Sequence, residues 1–301
     1  MKPHAGMSAV SYQQSDASYR ADPGQAQSYV KHILKSPAHY KAALSRKFSP
    51  TLSMQIGSAL HCLVLEGEEQ FNRDFVLKPD DISLTTVKGK EWRAENKGKT
   101  ILSKTDQFAS WDAVHGMAES LRRLEWFDPN QKDYRKFNEL SLYWEADELD
   151  CKCRLDRLIL EDDKAIILDL KTTDSVDSKD FLKKVIGSMN YLFQAAWYVE
   201  GTQAAFKVPA SFVFVGIERT APYATKVFEI SEEMIWEGLQ QTTAARQLLV
   251  ECRRGRHWEP PAIEHEVLTL PPWFASPVAS AKMMAEQAET NNALDVFEVL
   301  I

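Results

Sequence analysis

The sequence is sparing with cysteine, with long apolar runs and with positive charge, and each scarcity removes a class of protein. Four cysteines, Cys62, Cys151, Cys153 and Cys252, are spread over 301 residues. Only Cys151 and Cys153 stand close, on a segment that reads as a strand, and that spacing matches neither a zinc knuckle nor an iron–sulfur ligand pattern. Four reduced thiols in a cytoplasmic protein is the reading that fits. No apolar run approaches the roughly 20 residues needed to cross a bilayer, so no membrane segment is expected. The first residues, Met1 to Gln27, are polar and contain no apolar leader core, so a secretory signal is not expected either. Lysine and arginine together number 36 against 43 aspartates and glutamates, a formal net charge of -7. That balance argues against a uniformly basic surface for nucleic acid, but leaves room for a local basic cleft in an acidic molecule.

What is present is an ordinary globular mixture. Hydrophobic residues make up 44% of the chain and include eight Trp and fourteen Phe, ample apolar area for one large domain with extensions or two small ones. Residues 1–24 read as a flexible tail rich in Ser, Gln, Ala, Gly and Pro. Residues 25–125 read as helical. Val30, Ile33 and Leu34 form one stripe before Ser36-Pro37 interrupts it, and Ile56, Leu60, Leu63 and Val64 recur at helical spacing. Residues 80–104 form a lysine-rich loop with a short helix, and Gln107 to Leu124 is a helix. Residues 135–255 change texture. Strands are expected at Glu139 to Trp144, Cys151 to Leu160 and Ala165 to Lys171, the last two joined by the acidic turn Glu161-Asp162-Asp163-Lys164. A helix from Asp180 closing at Gly201 follows, then strands at Ser211 to Ile217 and Ala224 to Ile230. Ser231 caps a long helix running to about Cys252, with Glu232 and Glu233 in its first turn. The domain 25–273 is followed by an extension, 274–301, with a short helix at Ala281 to Thr290 and an apolar end. This order of elements predicts an α/β or α+β sheet flanked by helices.

The chemistry concentrates on Asp156, Asp169 and Lys171. Asp169 follows Asp156 by thirteen positions, on the second strand of the expected hairpin, and Lys171 shares its face two residues on. Folding the hairpin back brings two carboxylates together, which suits a hard divalent cation such as Mg²⁺. An ammonium beside them can orient a hydroxide nucleophile or offset developing negative charge. Most Asp-x-Lys pairs on strands are solvated faces with a weak ion pair. Here Asp169 ends the apolar run Ala-Ile-Ile-Leu and precedes Leu170, a context in which a charge is costly unless it is used.

The stretch CRLDRLILEDDKAIILDLKTT resembles the core of the PD-(D/E)xK nucleases, with Leu155 where many members carry proline. GSALHCLVLEGEE places His61 as in the Gly-x-x-x-His helix of RecB-type nucleases, and ELSLYW places Glu139 ahead of the hairpin. QAAWY, with Gln194 and Tyr198 one helical turn apart, resembles the Gln-x-x-x-Tyr motif that follows the core. SPAHYKAAL and TTVKGKEWRA are similar to segments of the exodeoxyribonuclease VIII (RecE) family of phage-type exonucleases, and the resemblance spans about residues 15–273. It implies a central mixed sheet flanked by helices. It implies His61, Asp156 and Asp169 as metal ligands with the Leu170 carbonyl, and Lys171 as the residue that positions the attacking water. Glu139 would hold a second metal or its water, and Gln194 and Tyr198 would contact the scissile phosphate or brace the site. The metal would be Mg²⁺, with Mn²⁺ as the alternative. The implied activity is 5′-to-3′ degradation of linear double-stranded DNA from its ends, leaving 3′ single strands for recombination by annealing. The implied context is a homo-oligomeric ring, a single-strand annealing protein as partner, and a phage or prophage gene expressed in a bacterial cytoplasm. Lys88, Lys90, Arg93, Lys97 and Lys99 are candidates for gripping DNA phosphates. Arg253, Arg254 and Arg256 form a second cluster, better explained as cations favoured at a helix C-terminus. The competing readings are an endonuclease or iron–sulfur nuclease of the same superfamily, and a catalytically idle DNA-end-binding scaffold on the same fold.

Overall fold

The computed structural model describes residues 8–270 apart from 13, 47, 48, 129, 132–134, 262 and 264. In chain order the elements are β1 (Ala9–Ser11), α1 (Asp16–Ala21), β2 (Gln25–Ala26), α2 (Gln27–Val30), α3 (Pro37–Ser45), α4 (Leu52–His61), α5 (Glu68–Asp74) and β3 (Phe75–Leu77). They continue with α6 (Val87–Glu95), β4 (Thr100–Leu102), α7 (Ser110–Leu121), β5 (Arg135–Ala146), β6 (Leu149–Leu160), β7 (Ala165–Thr173), α8 (Ser178–Lys183), α9 (Tyr191–Phe206), β8 (Ala210–Glu218), β9 (Thr225–Glu229) and α10 (Glu232–Gly255). The expected α/β arrangement is present: a mixed sheet in the order β1-β5-β6-β7-β8-β9, with β2 added beside β6. Residues 261–301 form a separate unit, and its described part contains no regular element. The helix expected at Ala281 to Thr290 and the apolar C-terminal end lie outside the described residues.

The centre of the sheet follows from its alternation. β5 and β6 meet through a two-residue turn, Asp147-Glu148, with Ala146 paired to Leu149. Both turn residues sit at positive φ (46° and 61°), the geometry that matches the twist of a hairpin. β6 and β7 pair antiparallel around the acidic turn. β7 and β8 pair in parallel from Ala165/Ala210 to Thr173/Glu218, which requires a crossover, and α8 and α9 supply it.

Each face of the sheet buries its own core. Ile167, Phe212 and Phe214 pack with Phe193 and Trp197 of α9 and with Ala245 and Leu249 of α10. Leu168, Leu170, Val213 and Val215 pack with Ile56 and Leu60 of α4 and with Val114 and Met117 of α7. β7 therefore carries apolar side chains to both faces, so a charge on it must be paired or used.

Two expectations need correction. The supposed tail contains β1, paired antiparallel with β5 (Ala9 to Tyr143), and α1, whose Ser15 caps Ser18 N–H. Edge pairing is made by backbone and needs no apolar composition. The buried Lys152 ammonium then ties α1 down by donating to the carbonyls of Tyr19 (2.7 Å) and Asp22 (2.6 Å). Secondly, the helix over residues 180–201 is two helices, and Gly201 lies inside α9, which ends at Phe206 with Lys207 left-handed. A Cβ at Gly201 would come 2.7 Å from Trp144 Cζ3. The glycine lets α9 approach the sheet; it does not end the helix.

Candidate active site

Three adjacent strands bring the carboxylates into one row. In the β5–β6 register Glu139 faces Asp156, at the one gap in a ladder running from Arg135/Leu160 to Ala146/Leu149. Glu139 adopts a left-handed backbone (φ 49°), a conformation that costs a non-glycine residue roughly 1–3 kcal/mol and clusters at functional sites. The β6–β7 ladder stops at Arg157/Leu168, one step before Asp156 and Asp169. The strands part there, and Asp156 Oδ2 accepts the Leu170 N–H at 2.8 Å. A carboxylate thus replaces a carbonyl as the backbone acceptor, and the opening between β6 and β7 becomes the floor of a cleft.

His61 reaches this floor from the end of α4. The chain widens into a single π-turn immediately after it (Cys62–Glu66), a device that recurs at functional sites. His61 Nε2 lies 3.0 Å from the Leu170 carbonyl, and Nδ1 lies 3.6 Å from Asp156 Oδ2. A carbonyl can only accept, so Nε2 carries the hydrogen and Nδ1 presents its lone pair toward Asp156. This is the arrangement in which a backbone carbonyl fixes a metal-binding imidazole. One ligand atom each from His61, Glu139 and Asp156 lies within 4.8 Å of the others. The donor set of one imidazole and two carboxylates fits a divalent cation, and the crowding of the carboxylates is what such an ion would relieve.

Electrostatics separate this trio from the residues on β7. Burial, then Asp156, pushes the Glu139 carboxyl up to about 7, against the pull of His61 and Arg154. Burial, then Asp169, pushes Asp156 up to about 8. Burial holds the His61 imidazole below its ordinary value, which keeps it neutral and able to ligate. Asp169 is differently placed. Its side chain is 2% exposed; Oδ1 accepts from Gln194 Nε2 at 2.6 Å and Oδ2 meets Lys171 Nζ at 2.5 Å. Lys171 is also 4.9 Å from the ring centre of Tyr191. Burial alone would lower the lysine, but Asp169 and Asp156 outweigh it and its pKa is raised. Lys171 is therefore a charged donor, not a base. Tyr198 is buried one turn beyond Gln194, its phenol pushed well up by burial with Tyr19 and Asp169 as the next causes.

Residues 26–267 match a family described as a PDDEXK-like domain of unknown function (DUF3799). The chain belongs to that family. Among solved structures it is similar to a "Putative exonuclease" from Eubacterium rectale, at 15% identity and a TM-score of 0.57, over 86% of this chain and 96% of that one. That likeness is one of fold. A second structure, SSO0001, matches at 13% identity over 65% of this chain and 88% of that one, with a TM-score of 0.25, too loose to carry argument. No curated protein matches the chain. The family match places this chain among the PDDEXK-like proteins.

The PDDEXK-like fold positions some predicted residues together and leaves others apart. His61, Glu139, Leu170 and Lys171 line one cleft of about 590 Å³. Asp169 lies outside the three-residue ligand cluster, held by Gln194 and Lys171. The lysine-rich segment lies elsewhere: Lys90, Arg93, Lys97 and Lys99 line a separate cavity of about 950 Å³ with Gln55 of α4. Lys88 pairs with Asp81 at 3.0 Å, and Lys99 Nζ donates to the Asn72 carbonyl at 2.8 Å. Arg254 pairs with Glu148 at 2.6 Å, a surface contact that matches the expectation of a helix-end cation.

Other cleft residues escaped the sequence reading. Arg154 holds Glu139 Oε2 at 2.6 Å, and its period-2 spacing from Asp156 was a legible signal. Asp16 and Arg20 of α1 and Tyr191 of α9 also line the cleft, and nothing local in the sequence marks them. No helix among the described residues is long and apolar enough to cross a membrane.

Proposed function

We propose that this chain is a metal-dependent exodeoxyribonuclease that hydrolyses phosphodiester bonds from the ends of linear double-stranded DNA. The observation that carries the reading is the convergence of His61, Glu139 and Asp156 on one point beside the charged Lys171. A bound Mg²⁺ or Mn²⁺ would supply Lewis-acid activation of water and neutralise charge on the phosphate. His61, Glu139 and Asp156 would hold it, with Asp169 and the Leu170 carbonyl reaching it after modest rearrangement. The protonated Lys171 donates to the attacking water, aims it at phosphorus and offsets the growing negative charge. Gln194 keeps Asp169 in place so that Asp169 keeps Lys171 in place, and Tyr198 braces the helix that carries Gln194. Arg154 limits how far Glu139 can swing.

The finer reading rests on the resemblance to the exodeoxyribonuclease VIII (RecE) family. It gives 5′-to-3′ polarity, 3′ single strands as product for recombination by annealing, a ring-shaped homo-oligomer, a single-strand annealing partner, and a phage or prophage gene acting in a bacterial cytoplasm. The test uses blunt linear duplex DNA and a closed circle of the same sequence, with Mg²⁺ or EDTA, for the wild-type protein, Lys171→Ala and Asp169→Ala. Metal-dependent loss of the linear DNA alone, absent in both variants, is the expected result. Cutting of the circle would make the protein an endonuclease on the same core. Binding of DNA ends without hydrolysis under either metal would leave a scaffold.

A further inference from the structure

A second cationic feature borders the cleft, and its members are scattered along the sequence. A groove of about 770 Å³ runs over α2, α3 and the start of α4, lined among others by Arg20, Tyr29, His32, His39, Arg46 and Met54. No acidic side chain lines it among the described residues. Arg20 and Met54 also line the candidate active-site cleft, so the two depressions adjoin, and Arg20 pairs there with Asp16 at 2.6 Å. Burial first, then Lys31, His39, Arg46 and Lys35, hold the His32 imidazole below its ordinary value, which reports cations crowding together without a neutralising acid. Lys31 extends the series inward: its Nζ donates to the Met189 carbonyl at 2.9 Å, and Lys171 is the charge that acts on it. The chain as a whole carries a net charge of -7, so gathering this many cations on one face is not a consequence of composition. Tyr29 and Met54 are exposed in the same groove, at 42% and 47%.

We propose that this groove is the track for a single DNA strand leading to or from the candidate active site, with Arg46 on its phosphates, Lys35 and Lys31 adding charge beside His32, and Tyr29 under a base. The proposal rests on the nuclease reading for the direction of the strand, but not for its binding. Cations gathered around a groove that adjoins a carboxylate site suit the phosphate backbone of a polyanion, and an exposed aromatic in the groove offers a sequence-tolerant stacking face. The lysine-rich cavity beside α6 has no residue in common with the cleft.

The probe is a fluorescein-labelled 20-nucleotide oligothymidine, with Ca²⁺ in place of Mg²⁺, followed by anisotropy across a series of NaCl concentrations. Lys35→Glu/Arg46→Glu reverses two exposed charges and should leave thermal unfolding unchanged. It should weaken binding at least tenfold and flatten the slope of log K against log[NaCl] by about 0.7 for each phosphate no longer neutralised. Arg122→Glu/Arg123→Glu, which reverses two exposed charges lining neither the groove nor the cleft, should stay within about twofold of wild type in the same assay. Equal binding by wild type and the groove variant, or no binding by wild type, would overturn the proposal. A blunt 20-base-pair duplex losing affinity in the groove variant while the single strand does not would overturn the single-strand assignment. Hydrolysis of bis(p-nitrophenyl) phosphate, too small to need the groove, reports the active site separately. Its absence together with the predicted binding loss would remove the nuclease reading and leave the groove; its presence with unchanged binding would do the reverse.

Discussion

The candidate active site has two halves that solve the burial of charge in opposite ways. On the β5–β6 side, His61 and Asp156 keep 26% and 18% of their side chains exposed. Burial pushes Glu139 and Asp156 up to about 7 and 8, with Asp156 the next cause for Glu139 and Asp169 the next for Asp156. Arg154 is the only cation in salt-bridge contact with them among the described residues. On the β7 side, Asp169 is almost wholly buried and carries its own counter-ion in Lys171, with Gln194 closing its other oxygen. The first half is short of positive charge; the second is balanced, its carboxylate buried against its own ammonium. A site with that asymmetry takes a cation from outside on one side and presents a fixed ammonium on the other.

Four changes should break or sharpen that division, in falling order of effect. Asp156→Asn removes the central ligand. Hydrolysis should fall below detection and metal affinity by more than about 100-fold, beyond what loss of an outer-shell partner costs; calorimetric titration with Mn²⁺ reads it. Lys171→Met keeps the ligands and removes the donor. Its kcat should fall by about 10²–10³, as for deletion of one preorganised transition-state donor, and steady-state hydrolysis of linear duplex measures it.

Gln194→Leu leaves Asp169 Oδ1 buried without its donor. The cost should be about 1–3 kcal/mol of stability, seen as a lower Tm, with a smaller loss of kcat than Lys171→Met. A variant as stable as wild type would mean that Asp169 does not depend on this contact.

The fourth concerns pH. Glu139 and Asp156 retain protons in the ion-free protein to about pH 7 and 8, and a binding cation must displace them. Metal affinity should therefore rise by about tenfold per pH unit for each proton displaced, and level off above about pH 8. The sign for stability is the reverse. Both folded-state values lie above the ordinary carboxylate range, so the unfolded chain holds fewer protons between about pH 4 and 8. The ion-free protein should lose stability as pH rises through that window, and added Mg²⁺ should abolish the loss. Thermal unfolding at pH 5 and pH 8 with and without the ion tests both signs, and pH-independent metal affinity would contradict the raised carboxyls.

The same contrast separates what sequence could tell from what it could not. The β6–β7 hairpin was legible because its strands are apolar runs of the right length joined by an acidic turn. Asp169 was legible because a charge ending such a run is costly, and Asp156 and Lys171 followed from their spacing to it on the hairpin. Their division of labour was not, since it depends on the β6–β7 ladder stopping one residue short and letting Leu170 N–H turn to Asp156. Gly201 was misread as a helix end because composition does not report that Trp144 sits beneath it. β1 and α1 were read as a tail because edge pairing and a distant lysine, Lys152, hold them. The lysine-rich segment drew attention because its charges are adjacent in sequence, whereas Arg20, Lys31, Lys35 and Arg46 become a cluster only after folding.

The most direct test of the two-halves account is Mn²⁺ binding followed by electron paramagnetic resonance in Lys171→Met and Asp156→Asn, side by side with wild type. Binding by Lys171→Met within a few-fold of wild type, and none by Asp156→Asn over the same range, is the predicted result. Loss of binding in Lys171→Met, or retention in Asp156→Asn, would contradict it, because the ion would then depend on the β7 side of the site.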